Sequence, residues 1–339
     1  MAIEAARTFP DISAQGFAHP ADRAAVAALG AVPMLDRVTK KLSELAWERK
    51  LRQLMLGTSV RLGDDQLPAV WAEQRRCASI LDIEACPKLY VTQFPVGNAV
   101  TIGTSEPMTL VMSGLVASYD HDELQAVLAH EMGHVLANHV GLTTVFELVK
   151  LLLRGVLRTG PLVGIPLRAI YYALLEWSRA AELTADRAAA ITTGDPMLVC
   201  RTLMRLAGGP IAGLDLDAFI AQATEYQAEG DPYARYLRFW SEIGTTHPFP
   251  VRRVKELVSW VAAGEYDHQV SGGYLRKGQE PPPSHEFDVA FQHYRERFAR
   301  VADRAGSGVQ TVMDRVSAWL DGRDQQAEDE GDFEPGADA

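Results

Sequence analysis

The stretch His130-Glu131-Met132-Gly133-His134 determines how the rest of this 339-residue sequence is interpreted. Within one helix, side chains four residues apart project from the same face, so the imidazoles of His130 and His134 can share one metal ion. Glu131 lies beside them and can reach a water molecule bound to that metal. This H-E-x-x-H pattern predicts metal-assisted hydrolysis, provided that the chain supplies a further metal ligand.

The residues around the motif predict one continuous helix with a defined start. Asp120 can cap its N-terminus, and Glu123, three residues further on, completes a capping-box pattern. Gly141 is the predicted end of the helix. The motif is therefore expected in the middle of a regular helix.

A small antiparallel sheet is predicted just before the motif helix. Period-two stretches occur at Lys88–Thr92, Asn98–Gly103 and Met108–Met112, and Gly and Pro residues separate them. The outermost strand would have backbone donors and acceptors free to pair with an extended peptide. A sheet that only supports the helix is the alternative, and the residues alone leave both open. Upstream, helices are predicted at 34–55 and 67–81.

A catalytic zinc ion usually takes three protein ligands and keeps a fourth position for water. His139 would lie on the opposite face of the motif helix from His130, and His121 precedes the helix, so we reject both as ligands. Glu182 is the better candidate, because its helical segment can fold back across the motif helix. Asp186, one turn further on, can accept the other ring N–H of a metal-bound histidine. A solvated acidic helix face is the alternative for this pair.

Several motifs together resemble the gluzincin family of zinc peptidases that includes the CAAX prenyl endopeptidases and the HtpX heat-shock protease. The matching residues are H-E-x-x-H at 130–134, Ser178-Arg179-x-x-Glu182-x-x-Ala185-Asp186, Asn98-Ala99, Ser113-Gly114-Leu115 ahead of Asp122-Glu123-Leu124, and Thr246-His247-Pro248 with Arg253 six residues beyond His247. The resemblance covers residues 60 to 262, and the joint occurrence of these motifs makes it specific.

The resemblance implies a mostly helical α+β fold, with a zincin-type peptidase core and a small antiparallel sheet beside the active-site helix. It implies that Glu182 joins His130 and His134 in binding one zinc ion per subunit. Glu131 is then the general base, and His247 stabilises the oxyanion. A polypeptide substrate would lie along the strand that contains Asn98, Ala99, Val100 and Thr101.

Residues 142–177 are strongly apolar, but charged residues interrupt them. A spanning helix needs roughly 20 successive apolar residues, so this stretch is not expected to cross a membrane. We favour a buried helical hairpin. The alternative is a peripheral membrane contact through residues 142–175, with a basic stripe that includes Lys150 facing lipid phosphates.

The net charge of −11 lies mainly at the C-terminus of the chain. From position 321 onward the sequence contains eight acidic residues, and the only basic residue in this stretch is Arg323. The preceding body is only mildly acidic. Since it has no excess of basic residues that could bind phosphates, no nucleic-acid partner is expected.

Cysteine content and the N-terminus predict the location. The three cysteines form neither a metal-binding pair nor a disulfide framework, which is typical of a reducing compartment. The first 30 residues contain no signal-peptide pattern. We therefore expect a cytoplasmic protein, either free or peripheral to the inner face of the membrane.

Four regions are expected along the chain. Residues 1–60 form a loosely ordered N-terminal lead-in and a helix, 61–265 the zinc metallopeptidase domain, 266–320 a linker and C-terminal helical extension, and 321–339 a disordered acidic tail. The predicted function is a zinc-dependent metalloendopeptidase that cleaves polypeptides. The alternatives are a quality-control protease at a membrane surface and a zinc-binding scaffold without turnover.

Overall fold

A computed structural model describes most of the chain. The described residues are 7–30, 47–93, 98–103, 106–156, 164–209, 211–228 and 247–280, together with Asp288 and Gln292. The predicted acidic tail, most of the C-terminal helical extension and the first part of the helix predicted at 34–55 lie outside these residues. The four predicted region boundaries stay predictions.

Helices dominate the described part. They are α1 Pro20–Gly30, α2 Trp47–Thr58, α3 Pro68–Ile80, α4 Ser113–Ser118, α5 His121–Leu136, α6 Val140–Val156, α7 Gly164–Thr193, α8 Pro196–Gly208, α9 Leu216–Ala228, α10 Pro250–Ala262 and α11 Glu265–His268. The strands are β1 Ser59–Arg61, β2 Lys88–Thr92, β3 Ala99–Ile102 and β4 Met108–Met112. The mostly helical α+β fold class is thus confirmed.

The sheet is mixed, and here the expectation of an antiparallel sheet is wrong in one pairing. The strand order is β1-β2-β4-β3, with β1–β2 and β3–β4 antiparallel. β2 and β4 run parallel, with Lys88 opposite Met108 and Thr92 opposite Met112. Period-two patterning identifies which residues share a face but carries no information on strand direction. β3 lies at the edge of the described sheet, beside α5.

The motif helix α5 begins as the sequence predicts. Asp120 Oδ1 accepts a hydrogen bond from the Glu123 N–H at 2.8 Å, and Glu123 Oε2 accepts one from the Asp120 N–H at 3.1 Å. This reciprocal capping box satisfies two backbone donors that have no partner within the helix. Arg205 of α8 donates to the same Glu123 carboxylate at 2.6 Å, which ties the helix start to its neighbour.

The end of α5 differs from the prediction, because the helix stops at Leu136 rather than at Gly141. Asn138 adopts a left-handed backbone with φ of 57°. The N–H groups of Asn138 and His139 donate to carbonyl groups of the last turn at 3.1 and 2.9 Å. This is a Schellman-type ending, in which asparagine takes the position that glycine usually occupies. The chain therefore turns back, and His139 lies close to the motif.

The N-terminal residues 7–30 are packed, contrary to the expectation of a loose lead-in. Phe9, Ile12 and Phe17 are at most 2% exposed and belong to the same hydrophobic cluster as α5. The Ser13 N–H donates to the Leu275 carbonyl at 2.8 Å, so the segment after α10 packs against it. Burial of these large apolar side chains stabilises the packing of a segment that Pro10, Gly16 and Pro20 interrupt.

The apolar hairpin of α6 and α7 has a covered inner face in its described part. Phe146 of α6, Trp177 of α7 and Leu29 of α1 are buried in one cluster. This agrees with the favoured interpretation of a buried hairpin. Leu151 and Tyr172 are about half exposed, and the membrane contact stays a prediction. Among the described residues, none of the helices has the length and apolar character needed to cross a bilayer.

Gly133 allows α5 and α7 to approach closely beside the motif. A Cβ atom at this position would lie 2.6 Å from the Ala188 Cβ and 3.2 Å from the Ala185 Cα. Both atoms belong to or are attached directly to the α7 backbone, so neither can rotate away. The close contact between the two helices therefore occurs one residue before His134.

Gly133→Ala is expected to lower the free energy of unfolding. Overpacking costs about 1–3 kcal/mol, which exceeds the gain of up to about 1 kcal/mol from alanine's helix propensity. Urea denaturation of both proteins measures the difference. Gly141→Ala in α6 is the matched control, since no atom lies within 4 Å of its Cβ position and its stability should be unchanged or raised. Equal stability of the two variants would contradict the close approach.

Candidate active site

The fold brings three metal-ligating side chains together from α5 and α7. His130 Nε2 lies 3.4 Å from Glu182 Oε2, and His134 Nε2 lies 3.5 Å from Glu182 Oε1. One ligand atom from each residue falls within 4.8 Å of the others. The sequence predicted this grouping, although Glu182 is 48 residues beyond His134 and on another helix.

The chemistry of this cluster fits a metal ion. Two imidazole nitrogens and one carboxylate oxygen form a donor set that catalytic zinc ions use. Glu182 Oε2 is buried and has no hydrogen bond of good geometry, although His130 Nε2 lies 3.4 Å away and Arg253 Nη1 lies 3.0 Å away. A buried carboxylate oxygen of this kind has lone pairs left with which to bind a metal ion.

Asp186 and Arg253 hold the cluster from behind. Arg253 of α10 donates two hydrogen bonds to the Asp186 carboxylate, at 2.8 and 2.6 Å. Asp186 Oδ1 lies 3.1 Å from His130 Nδ1, which turns the opposite nitrogen of that ring towards Glu182. This contact matches the orienting role predicted for Asp186, and that role stays a proposal.

Opposite charges keep both buried acids ionised. Burial raises the pKa of Glu182, but electrostatic interactions with His247 and Arg253 outweigh it and hold the pKa well below its usual value. Burial likewise opposes ionisation of Asp186, and the Arg253 charge and hydrogen bonds lower its pKa. Glu182 and Asp186 are therefore ionised at neutral pH, and the Glu182 carboxylate can bind a cation.

The two histidines differ in their protonation. Burial lowers the pKa of His134 below its ordinary value. Burial also opposes the charged form of His130, but hydrogen bonds to Asp186 and Glu182 prevail and raise its pKa to about 9. In the metal-free protein at pH 8, His130 thus carries a proton that must leave before its Nε2 can bind a metal.

Metal binding at pH 8 is therefore expected to release about one proton from His130. Isothermal titration calorimetry of metal-free protein, in two buffers with different ionisation enthalpies, measures this number. The number of protons released should fall by about one between pH 8 and a pH well above 9, where His130 is already neutral, and the apparent affinity should rise with pH over that range. A proton release near zero at pH 8 would contradict the raised pKa of His130.

Glu131 is buried beside the cluster, and its carboxylate contacts the sheet. Thr101 Oγ1 of β3 donates to Glu131 Oε2 at 2.8 Å, and Thr109 Oγ1 lies 3.0 Å from the same hydroxyl. Of the four residues predicted to bind substrate, Thr101 is thus buried against the predicted base. Asn98 is exposed, and Ala99 and Val100 are half-buried. Their substrate-binding role stays a prediction.

His247 lies on the open side of the cluster. Its side chain is 52% exposed, and its Nε2 lies 3.4 Å from Glu182 Oε1. The following helix, α10, carries Arg253 on its buried face. The H-P motif and the arginine after it therefore reach the same carboxylate from one segment of the chain.

Neither of the rejected histidines belongs to the ligand group, but His139 is closer than the sequence suggested. His121 begins α5 rather than preceding it; its side chain is exposed, and its Nε2 lies 3.4 Å from Glu73 Oε2. His139 is 1% exposed, and its Nδ1 lies 3.0 Å from His134 Nδ1. Its position could not be derived from helical spacing, because the helix ends before it. No spacing signal in the sequence indicated this contact.

Comparison with known proteins decides the family. The model of peptidase family M48 matches residues 68–261. The chain belongs to peptidase family M48. This confirms the resemblance to HtpX-like peptidases, makes the protein a metallopeptidase, and implies a metal at the site.

M48 relatives cover different shares of the chain. The Arabidopsis thaliana protein named plastoglobule-localized metallopeptidase 48, chloroplastic, is 38% identical over 264 residues, which is 76% of each chain. A protease HtpX homolog 2 of Methanosarcina acetivorans is 26% identical over 170 residues, 43% of this chain and 58% of the relative. A protease HtpX homolog of Helicobacter pylori is 42% identical over 59 residues, 17% and 19% of the two chains. No solved structure matches the chain.

Proposed function

We propose that this M48 peptidase is a zinc-dependent metalloendopeptidase with His130, His134 and Glu182 as metal ligands. The observation that carries the proposal is the convergence of these three side chains on one point, with Glu131 beside them. A binding scaffold would have no need of a buried glutamate next to the ligands. The intact Glu131 therefore favours an enzyme over a silent scaffold.

Zinc bound at this cluster would polarise the scissile carbonyl and acidify the attacking water. Glu131 accepts the proton of that water and passes it to the leaving amine. The Thr101 hydroxyl fixes Glu131 Oε2, which leaves Oε1 for the proton transfer. His247 donates to the developing oxyanion, a contribution typically worth ~3–4 kcal/mol.

An extended polypeptide is the proposed substrate, aligned along β3. Two observations support this: β3 is an edge strand of the described sheet, and its Thr101 touches Glu131. Backbone pairing with an edge strand recognises a peptide without requiring a particular sequence. The proposed strand contacts come from Asn98, Ala99, Val100 and Thr101.

Metal removal tests the proposed function. Protein treated with a chelator should lose cleavage of an unfolded substrate such as casein, and one equivalent of zinc should restore it. Cleavage that persists in metal-free protein would overturn the proposal. Zinc binding without cleavage of any unfolded protein would favour the scaffold instead.

A membrane-surface protease is the second candidate. The half-exposed Leu151 and Tyr172 on the hairpin favour it, and the Arabidopsis relative carries a plastoglobule location in its name. We otherwise propose a cytoplasmic location. Co-sedimentation with anionic liposomes at low and high salt separates the two, because a basic contact releases at high salt. If the protein does not sediment with the liposomes at either salt concentration, the membrane-surface candidate is excluded and the cytoplasmic proposal remains.

A further inference from the structure

The His134 ring has a second polar support, on the side away from Glu182. His134 Nδ1 lies 3.0 Å from His139 Nδ1, and His139 Nε2 lies 3.0 Å from Asp22 Oδ2. Asp22 belongs to the first turn of α1, in the N-terminal segment. All three residues are at most 9% exposed. A buried polar chain therefore links the N-terminal helix to a predicted metal ligand.

Asp22 is held in place by the helix that carries Glu182. Thr184 Oγ1 of α7 donates to Asp22 Oδ2 at 2.6 Å, and it accepts a hydrogen bond from the His19 N–H at 3.0 Å. Burial opposes ionisation of Asp22, but His139 and Thr184 outweigh it and lower its pKa. Asp22 is thus an ionised acceptor, fixed against α7.

The direction of these hydrogen bonds follows from the ligand role of His134. A metal on its Nε2 leaves the ring proton on Nδ1, which must donate to His139 Nδ1. That nitrogen can accept only if the His139 proton is on Nε2, where Asp22 Oδ2 accepts it. With the opposite tautomer of His139, two N–H groups would face each other, or the His134 proton would move to Nε2 and block the metal.

We propose that Asp22 is a positioning residue for the metal centre, which acts through His139 to keep the lone pair of His134 Nε2 directed at the metal. This inference rests on the proposed function, since it takes His134 as a ligand. Each metal-binding histidine is then oriented by a carboxylate. Asp186 contacts the Nδ1 atom of His130 directly, and Asp22 orients His134 through the imidazole of His139. The N-terminal segment is then part of the metal site.

A role of His139 in packing alone would make a different prediction for its replacement. Its ring contacts the Trp177 ring edge-to-face, with centroids 5.6 Å apart. If that contact were its only role, an apolar ring of similar shape would serve as well. The two roles are separable, because only the positioning role requires Asp22 and His139 to act as one unit.

A double-mutant cycle on zinc affinity tests the proposal. The variants are Asp22→Leu, His139→Phe and the double replacement, with zinc affinity measured by competition with a chelating dye. Loss of an outer hydrogen-bond partner typically weakens metal binding about 10–100-fold, so each single variant should fall in that range. The double variant should bind no more weakly than His139→Phe, because Asp22 acts only through His139. The visible spectrum of the Co²⁺-loaded single variants should change as well.

Controls separate positioning from folding and from the proposed function. Phe9→Leu loosens the same N-terminal segment without touching Asp22, and it should keep wild-type zinc affinity and the wild-type Co²⁺ spectrum. If Asp22→Leu does not fold, Asp22→Asn replaces it in the same cycle. A smaller loss of zinc affinity is then expected, because the asparagine amide oxygen can still accept the hydrogen bond from His139. Independent, additive losses, or wild-type affinity in the Asp22 variants, would overturn the inference and leave the proposed function standing. A wild-type protein that binds no zinc would instead overturn the proposed function.

Discussion

Glu131→Gln is expected to abolish peptide cleavage while zinc content stays at one per chain. The amide cannot accept the proton of the attacking water, and loss of a general base typically lowers the rate about 10²–10⁴-fold. Glutamine keeps the volume of the buried side chain and can still accept from Thr101, which donates to Glu131 at 2.8 Å. Casein cleavage and metal analysis on the same preparation measure both quantities.

The matched control for this variant is Glu225→Gln, an exposed glutamate on α9. Its cleavage rate and zinc content should equal those of the wild type. Undiminished cleavage by Glu131→Gln would contradict the assignment of the general base. Loss of zinc together with cleavage would show that Glu131 acts on the metal site rather than on the proton.

Arg253→Met is expected to give the largest loss of stability. Arg253 is 7% exposed and forms ion pairs with both Glu182 and Asp186, so its removal takes away the cation that these two buried carboxylates share. Breaking a buried pair in this way costs about 3–5 kcal/mol. Urea denaturation of metal-free protein at pH 7 measures the loss.

The pH dependence of this loss has a definite sign. In the wild type the pKa values of Glu182 and Asp186 are lowered, so their contribution is present at neutral pH and is lost as pH falls through those values. Without Arg253, burial raises both pKa values and protonation becomes easier. The difference in free energy of unfolding between variant and wild type should therefore shrink from pH 7 to pH 5.

The matched control is Arg252→Met, which changes the half-buried neighbouring residue. It should lower the free energy of unfolding by less than about 1 kcal/mol. Equal losses of stability in the Arg252 and Arg253 variants would contradict the role given to Arg253.

Local signals in the sequence predicted much of this site. The spacing of His130 and His134 fixes a shared helix face, and the Asp120–Glu123 pair fixes where that helix begins. Alternation predicted β2 and β4 residue for residue. Glu182 followed from its helical segment together with the family resemblance, not from spacing alone.

The long-range contacts could not be predicted from the sequence. The parallel pairing of β2 and β4 depends on β3 taking the sheet edge, which alternation does not record. The left-handed Asn138 ends α5 early and places His139 beside His134, whereas helical geometry had placed it on the far side. Asp22 reaches the site from the N-terminal segment through tertiary packing, and no spacing links it to the motif.

Anomalous diffraction at the zinc absorption edge, from crystals of the zinc-loaded protein, tests the central claim most directly. The account predicts a single peak bound by His130 Nε2, His134 Nε2 and the Glu182 carboxylate, with histidine nitrogens at ~2.0–2.1 Å. The peak should be lost in Glu182→Ala. A zinc ion bound elsewhere, or no peak between these three side chains at full zinc loading, would contradict it.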